Sequence, residues 1–188
     1  MKKYIQILKT EDKSKKRDKN SSWIFIIIIL SFIISFGFSF ISETILPGVN
    51  IALGIVLILV FILIGAIFDM IGVAVASANE APFHSMASQK VRGASLAIKM
   101  IKNANKVSSF CNDVIGDICG IVSGSAGVAV ALKISNYLGS DILITTLFIT
   151  AFIASLTIGG KAIGKKTALN NNVSIINTFS KVLSIFVK

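Results

Sequence analysis

The chain has 188 residues, of which 54% are hydrophobic and 15% are charged, and its mean hydropathy is +0.82. Soluble domains are far less apolar, so the composition excludes an ordinary soluble domain and indicates an integral membrane protein. The formal net charge is +10, but the basic residues form short blocks around apolar runs, without the interleaved aromatic residues typical of nucleic-acid binding. We therefore expect the lipid bilayer, and no nucleic acid, as the partner of these charges.

The first half of the chain predicts a basic tail and two membrane spans. Residues 1–20 hold eight of the nineteen Lys and Arg residues and predict a basic cytoplasmic tail. The uncharged run over residues 21–42 is long enough to cross the hydrocarbon core and too long for the core of a signal peptide. A second apolar run over residues 49–78 is interrupted only by Asp69. Its length predicts a span that is tilted, or kinked near Asp69.

The second half of the chain predicts two more spans, over residues 108–132 and 142–164. Segments 86–106 and 172–188 combine basic residues with apolar residues three or four apart. That pattern is typical of amphipathic helices that lie on an anionic membrane surface or against a bundle. The expected fold class is therefore all-α, an integral membrane protein with four transmembrane helices and cytoplasmic interfacial helices.

The basic residues also predict the orientation of the spans. With four spans and a cytoplasmic N-terminus, eighteen of the nineteen Lys and Arg residues fall on one side, and only Lys133 falls on the other. Lys and Arg residues that flank membrane spans are retained in the cytoplasm. We therefore expect a multi-pass protein of the cytoplasmic membrane with both termini inside.

Two acids, Asp113 and Asp117, lie where the third span enters the membrane. An acid at that depth is costly and normally faces a protein interior or water. Gly116, Gly120 and Gly124 are four residues apart on the same helix, a spacing that allows close helix contacts. Two interpretations remain open: close packing with the acids near a watery end, or an ion-binding face.

The second span ends in "VASANEAPFHSM", which places Glu80 beside Ser77 and Asn79. Their oxygen atoms suit a hard cation such as Mg²⁺, and the alternative is a carboxylate at the water interface near basic residues. His84, the only histidine, lacks a second His or Cys at ligand spacing, so we expect it to be an interfacial residue. The sequence offers no arrangement of a nucleophile and a base, so we expect no enzymatic activity.

These motifs resemble the transmembrane module of the CNNM/CorC family of magnesium and cobalt transporters. "SANEA" at residues 77–81 corresponds to the family's S-A-x-E-T-A signature, and "GASLA" at residues 93–97 corresponds to the G-x-x-A of its basic linker. "GD" at residues 116–117 corresponds to a G-N pair, and "GKAIGK" at residues 160–165 corresponds to a G-E-x-x-P-K turn. The CNNM/CorC-like module is assigned to residues 49–188.

The resemblance implies a homodimer that binds or moves Mg²⁺ or Co²⁺, with the ion as substrate and no other cofactor. The span over residues 21–42 is then an addition to the family's module, and no CBS domains are expected in this chain. By position, the family's ion site matches Ser77, Gly116, Asp117 and Gly160. With the further oxygen ligands, the predicted metal site comprises Ser77, Asn79, Glu80, Asp113, Gly116, Asp117 and Gly160.

Lys161 departs from the family's pattern, because it stands where the family has an acid. If its side chain points into the bundle, a Lys161–Asp117 pair is expected, since unit charges about 4 Å apart at a dielectric near 20 interact by roughly 4 kcal/mol. The alternative is that Lys161 extends to the cytoplasmic interface. Two functions follow: a cation transporter, or a non-transporting scaffold or subunit whose ion site is replaced by Lys161 and which serves an unidentified membrane or cytoplasmic partner.

Overall fold

The structure is a computed structural model that describes residues 25–41, 44 and 48–186. Every regular element within these residues is a helix, and they contain no strand. The basic tail predicted over residues 1–20 lies outside the described residues. In chain order the helices are α1 (Phe25–Ile41), α2 (Ile51–Ser77), α3 (Ala81–Ser88), α4 (Ala94–Lys102), α5 (Ala104–Ser109), a π-helix (Phe110–Gly116), α6 (Asp117–Leu138), α7 (Ile142–Asn170) and α8 (Asn172–Phe186).

Within the described residues, three helical stretches are long and apolar enough to cross a membrane. They are α2 with 27 residues, the continuous stretch Ala104–Leu138 with 35 residues, and α7 with 29 residues. Helix α1 is apolar but shorter within the described residues. The all-helical class and three candidate spans are therefore confirmed, while the fourth span, predicted over residues 21–42, stays a prediction.

Helix α2 is central and continuous. Its first turn is capped by Asn50, whose Oδ1 accepts a hydrogen bond from the Leu53 amide at 2.8 Å. The helix runs unbroken through Asp69 to Ser77, and the expected tilt, or kink near Asp69, stays a prediction. It packs against α6, α7 and the π-helix along its length, and against α4, α5 and α8 near its end.

Glycines on α2 and α6 allow close approaches between helices. A Cβ atom added at Gly54 would lie 2.7 Å from Cγ2 of Val130, and one added at Gly65 would lie 3.0 Å from Cβ of Cys119. On α6, a Cβ atom at Gly127 would clash with Ile153 of α7, whereas one at Gly120 or Gly124 would meet no described atom within 4 Å. The prediction of a tight glycine face on the third span is therefore wrong for Gly120 and Gly124.

The segment predicted as one interfacial helix, residues 86–106, is divided between α3, α4 and α5. The chain turns between α3 and α4, where Lys90 has φ 57° and Gly93 has φ 86°. A Cβ atom at Gly93 would lie 2.8 Å from the backbone of Ser180 and Lys181 in α8, so this turn needs glycine both for its φ and for space. The prediction of a single helix over residues 86–106 is therefore wrong. The apolar residues keep a helical spacing along this segment, but the backbone turns between α3 and α4.

Helices α3, α4, α5 and α8 form a small helical cap around the final turns of α2. Phe83 of α3 and Ile176 of α8 are fully buried there, and Phe179 and Leu183 pack beside them. The two amphipathic segments thus pack against the bundle, which is one of the two positions expected for them. Buried residues of the cap core are Ile71, Ala74, Val75, Phe83, Ala97, Met100, Ile101, Cys111, Ala168 and Ile176.

The opposite end of the bundle is closed by short connections. Gly139 ends α6 with φ 64°, and Asp141 begins α7 by accepting hydrogen bonds from the amides of Leu143 and Ile144. Lys133 donates a hydrogen bond to the Val49 carbonyl, which joins α6 to the residues before α2. The one basic residue predicted for this side therefore joins α6 to the residues at the start of α2.

Candidate functional site

Two lysines of α7 reach acids on two other helices. Lys161 Nζ donates a hydrogen bond to Asp117 Oδ1 of α6 at 3.0 Å, which confirms the expected Lys161–Asp117 pair. Lys165 Nζ lies 3.8 Å from Asp69 Oδ2 of α2. We call Asp69, Asp117, Lys161 and Lys165 the charged junction. It connects the three helices that could span a membrane.

The repeated Gly-Lys pairs in "GKAIGK" explain how α7 makes both contacts. A Cβ atom at Gly160 would lie 3.7 Å from Cβ of Ala66, and one at Gly164 would lie 3.3 Å from the Ala66 carbonyl oxygen. Both glycines therefore face α2 and allow a close approach. Lys161 and Lys165 each follow one of these glycines, and their spacing of four places them on one side of α7. The same motif thus provides a contact surface and two neighbouring cations.

Asp69 is the most buried acid of the junction, with only 4% of its surface exposed. Its Oδ2 accepts no hydrogen bond from the described residues. Lys165 and Lys161 attract its carboxylate, whereas Asp117 and Asp113 repel it. Burying a carboxylate without hydrogen bonds is costly, so the two ammonium groups supply the compensation that Asp69 needs.

The sequence interpretation treated Asp69 only as an interruption of an apolar run and missed its place in the site. A signal was present, because Gly65, Asp69 and Gly72 are separated by four and three residues and so share one face of α2. Both glycines are points of close helix contact. An acid between two such glycines must face protein, which predicts burial.

Asn112 supplies a second buried oxygen near Asp69. A Cβ atom at Gly72 would lie 1.9 Å from Asn112 Oδ1, so the amide occupies the space that this glycine leaves. Asn112 Nδ2 donates to Ser108 Oγ at 3.4 Å, but Asn112 Oδ1 is buried and has no hydrogen-bond partner in the described part of the chain. Gly72 and Asp69 are about one helical turn apart, so the two unpaired oxygens belong to the same region.

Asn112 and Asp113 lie on the π-helix, which the sequence interpretation did not predict. The seven residues Phe110–Gly116 form wider turns inside the stretch Ala104–Leu138. Such π-turns within α-helices often occur at functional sites. Here the π-helix carries Asn112, which faces Gly72 of α2.

Three residues of the predicted metal site lie at the end of α2 and are used in local structure. The side-chain Nδ2 of Asn172 donates to the backbone carbonyl of Ser77 at 3.3 Å, and Asn79 Oδ1 accepts from the backbone amide of Ala81 at 3.0 Å. Glu80 Oε2 lies 3.3 Å from His84 Nε2, and both side chains are exposed. The Asn79 and Glu80 contacts stabilise the turn from α2 into α3, whereas the Asn172 contact joins the end of α2 to the start of α8.

The structure separates these three residues from the rest of the predicted metal site. A Cβ atom at Gly116 would lie 3.8 Å from the Gly65 carbonyl oxygen, so Gly116 and Asp117 pack near the middle of α2. Ser77 lies about 18 Å further along α2, at 1.5 Å per residue. Ser77, Asn79 and Glu80 therefore do not join Gly116, Asp117, Gly160 and Lys161 in one site. Asp113 precedes Asp117 by about one turn.

Protein-derived metal ligands are sparse in this region. Among the residues that the structure describes, no group of three or more His, Cys, Asp and Glu side chains is arranged to hold a metal ion. The charged junction brings together two acids and two lysines, so its formal charges balance. Its arrangement is suited to holding helices together.

Comparison with protein-family models, with curated proteins and with solved structures finds no match for this chain. No family is shown. The resemblance to the CNNM/CorC transporters rests on the sequence motifs alone and stays a prediction.

Proposed function

We propose that this chain is a non-transporting integral membrane protein, a scaffold or subunit, in which lysine side chains take the place of a bound cation. The observation that carries the proposal is the 3.0 Å contact between Lys161 Nζ and Asp117 Oδ1. Lys161 stands where the resembled family has an acid that contributes to its Mg²⁺ site. An ammonium group at that position neutralises Asp117 and repels a divalent cation.

Lys165 supports the same interpretation at the second acid. Its ammonium group lies 3.8 Å from Asp69, the buried carboxylate of α2. With both lysines in place, neither acid of the charged junction has an uncompensated negative charge to offer to a metal ion. Asp113 is a further acid whose charge acts on Asp69, but it is not part of the charged junction.

A scaffold needs helices held in one arrangement, and the charged junction serves that purpose. Leaving one member of a buried ion pair without its partner is costly, so packings that separate such a pair are disfavoured. Here two neighbouring lysines of α7 form ion pairs with acids on α6 and α2. The junction therefore selects one relative position of the three helices, which in turn positions the helical cap for a membrane or cytoplasmic partner.

A second candidate function is the binding or transport of a hard cation such as Mg²⁺. The observation that favours it is the pair of buried oxygens without hydrogen bonds, Asp69 Oδ2 and Asn112 Oδ1. Carboxylate and amide oxygens are ligands that hard cations prefer. In this case Lys165 would move aside, which its 53% exposed side chain allows.

Thermal unfolding of the purified protein with and without millimolar Mg²⁺ separates the two candidates. We expect no Mg²⁺ stabilisation of the native protein, because the lysines occupy the place of the ion. Lys161→Glu removes the competing ammonium and adds an oxygen ligand, so Mg²⁺ stabilisation should appear, by about 2.7 kcal/mol at one hundred times the Kd. Lys166→Glu makes the same charge change at an exposed lysine of α7 outside the charged junction and should show no response.

Two outcomes would contradict the proposal. Stabilisation of the native protein by Mg²⁺ that disappears in Asp117→Ala or Asp69→Asn would support the cation-binding function instead. Absence of a response in Lys161→Glu would show that Lys161 does not stand in the place of a cation. We retain the cytoplasmic membrane, both termini inside, and a homodimer as parts of the proposal.

A further inference from the structure

Three basic residues of the helical cap lie on two segments that touch. Lys90 and Arg92 lie in the turn between α3 and α4, and Lys181 lies on α8. A Cβ atom at Gly93 of this turn would lie 2.8 Å from the backbone nitrogen of Lys181. All three basic side chains are exposed. We call Lys90, Arg92 and Lys181 the basic patch.

The basic patch has no counter-charge of its own. Within the part of the chain that the structure describes, none of its three side chains makes a hydrogen bond or an ion pair. The segments that carry it, residues 81–112 and 142–188, contain no Asp or Glu. Clustered charges of one sign attract oppositely charged groups from outside the protein. The patch therefore fits an anionic partner.

Helix α8 brings the basic patch back towards the membrane. At its start, Asn172 Nδ2 donates to the backbone carbonyl of Ser77, the last residue of α2, at 3.3 Å. Seven residues further along α8, the ring of Phe179 packs edge-to-face on Phe68, with centroids 6.5 Å apart. Phe68 precedes Ser77 by nine residues, so α8 runs antiparallel to the last turns of α2. Lys181, two residues after Phe179, is therefore near the level of Phe68.

Phe68 is at the depth expected for the cytoplasmic membrane boundary. The rise from Ile51 to Phe68 along α2 is about 26 Å, close to the thickness of a hydrocarbon core of about 30 Å. Because Gly93 contacts the backbone of Lys181, Arg92 lies at a similar level. Basic residues at this depth are close to the lipid headgroups, and anionic headgroups have the complementary charge.

We propose that the basic patch binds the phosphate groups of anionic phospholipids and so holds the helical cap against the cytoplasmic surface of the membrane. The proposal rests on the membrane-embedded state of the proposed function, but not on whether the charged junction binds a cation. The Mg²⁺ measurements and the lipid measurements therefore test separate statements. In a scaffold, this contact would fix the position of the cap relative to the bilayer.

Native mass spectrometry of the full chain, with equal amounts of phosphatidylglycerol and phosphatidylcholine added, tests the proposal. We expect the native protein to retain phosphatidylglycerol in preference to phosphatidylcholine. Arg92→Gln and Lys181→Gln should each lower the ratio of the two retained lipids about fivefold, the effect of about 1 kcal/mol for one basic residue near an anionic surface. Arg92→Lys keeps the charge and should keep most of the ratio.

Lys102→Gln is the matched control, because this exposed lysine of α4 lies further from the membrane. Asn112 Oδ1 lies beside Gly72 of α2, and the same continuous helical stretch begins eight residues earlier, at Ala104. Lys102 precedes Ala104 and so lies about 12 Å or more beyond the level of Gly72. That distance exceeds the Debye length of about 10 Å at 0.1 M salt, so the ratio should not change.

Three outcomes would overturn the proposal. An equal fall of the ratio in Lys102→Gln would indicate an effect of net charge and not of the basic patch. An unchanged ratio in both Arg92→Gln and Lys181→Gln would show that the patch does not hold lipid. Retention of added glycerol 3-phosphate at the level of phosphatidylglycerol would assign the patch to a soluble phosphate compound instead.

Discussion

Lys161 and Asp117 are joined across 44 positions of the chain by a hydrogen bond of 3.0 Å between α7 and α6. The lysine side chain is 21% exposed, whereas the aspartate is 62% exposed. The ammonium group therefore comes from a more protected position towards an acid at the surface of the bundle. The pair joins α6 and α7 close to the point where Lys165 of α7 lies beside Asp69 of α2.

A double-mutant cycle on this pair should show modest coupling. Lys161→Met and Asp117→Asn should each destabilise the protein, and the double variant should be destabilised by less than their sum. Because Asp117 is largely exposed, we expect a coupling free energy of only about 0.5–1 kcal/mol. Chemical unfolding of the four proteins in one detergent measures it. Strictly additive effects would show that the hydrogen bond makes no net contribution.

The second pair should respond asymmetrically to the loss of either member. Lys165→Met leaves the buried Asp69 without its nearest counter-charge and should cost about 3 kcal/mol. Asp69→Leu should cost much less, because Lys165 is half exposed and can move to water. The double variant should recover most of the loss. Equal effects in the two single variants would contradict the burial of Asp69.

Glycines at helix contacts should differ sharply from glycines on open faces. Gly65→Leu should destabilise the bundle by about 1–3 kcal/mol or more, since its Cβ atom would already lie 3.0 Å from Cys119. Gly120→Leu is the matched control on α6 and should be tolerated, because space is open around it. The thermal unfolding midpoints of both variants give the comparison. A larger loss in Gly120→Leu would mean that α6 contacts another surface there.

The turn between α3 and α4 should not accept a side chain. Gly93→Ala meets the backbone of Ser180 and Lys181 and also imposes an unfavourable positive φ. Gly139→Ala has the second problem without the first, since no described atom lies within 4 Å of its Cβ position. We expect a loss of about 1–2 kcal/mol at Gly139 from the φ alone, and a clearly larger loss at Gly93. Similar losses would place α8 away from this turn.

The orientation predicted from the basic residues can be measured by labelling single cysteines in a chain without Cys111 and Cys119. Cysteines at Leu46 and Ser140 should react from outside the cell, and a cysteine at Lys90 should react only from inside. Leu46 lies outside the described residues, and Ser140 provides a site on a described turn for the same side. Labelling of Ser140 and Lys90 from the same side would contradict the proposed four-span topology.

The sequence by itself determined the helical class and the three described spans, but it left open whether Lys161 pairs with Asp117 or extends to the interface. Spans follow from long uncharged runs, because a lipid interior requires every backbone polar group to be satisfied within a helix. The buried face of α8 followed in the same way, since Ile176, Phe179 and Leu183 recur at helical spacing and pack into the cap core.

Only the tertiary structure decided which small and charged residues meet. The spacing of Gly116, Gly120 and Gly124 predicts a contact face but not its partner, and of these three only Gly116 lies against α2, where Gly54, Gly65 and Gly72 allow the close approaches. The burial of Asp69, the π-helix under Asn112 and the separation of Glu80 from Asp117 all depend on how α2, α6 and α7 are aligned along one another. Local spacing determines which residues share a helix face, whereas contacts between helices determine what that face meets.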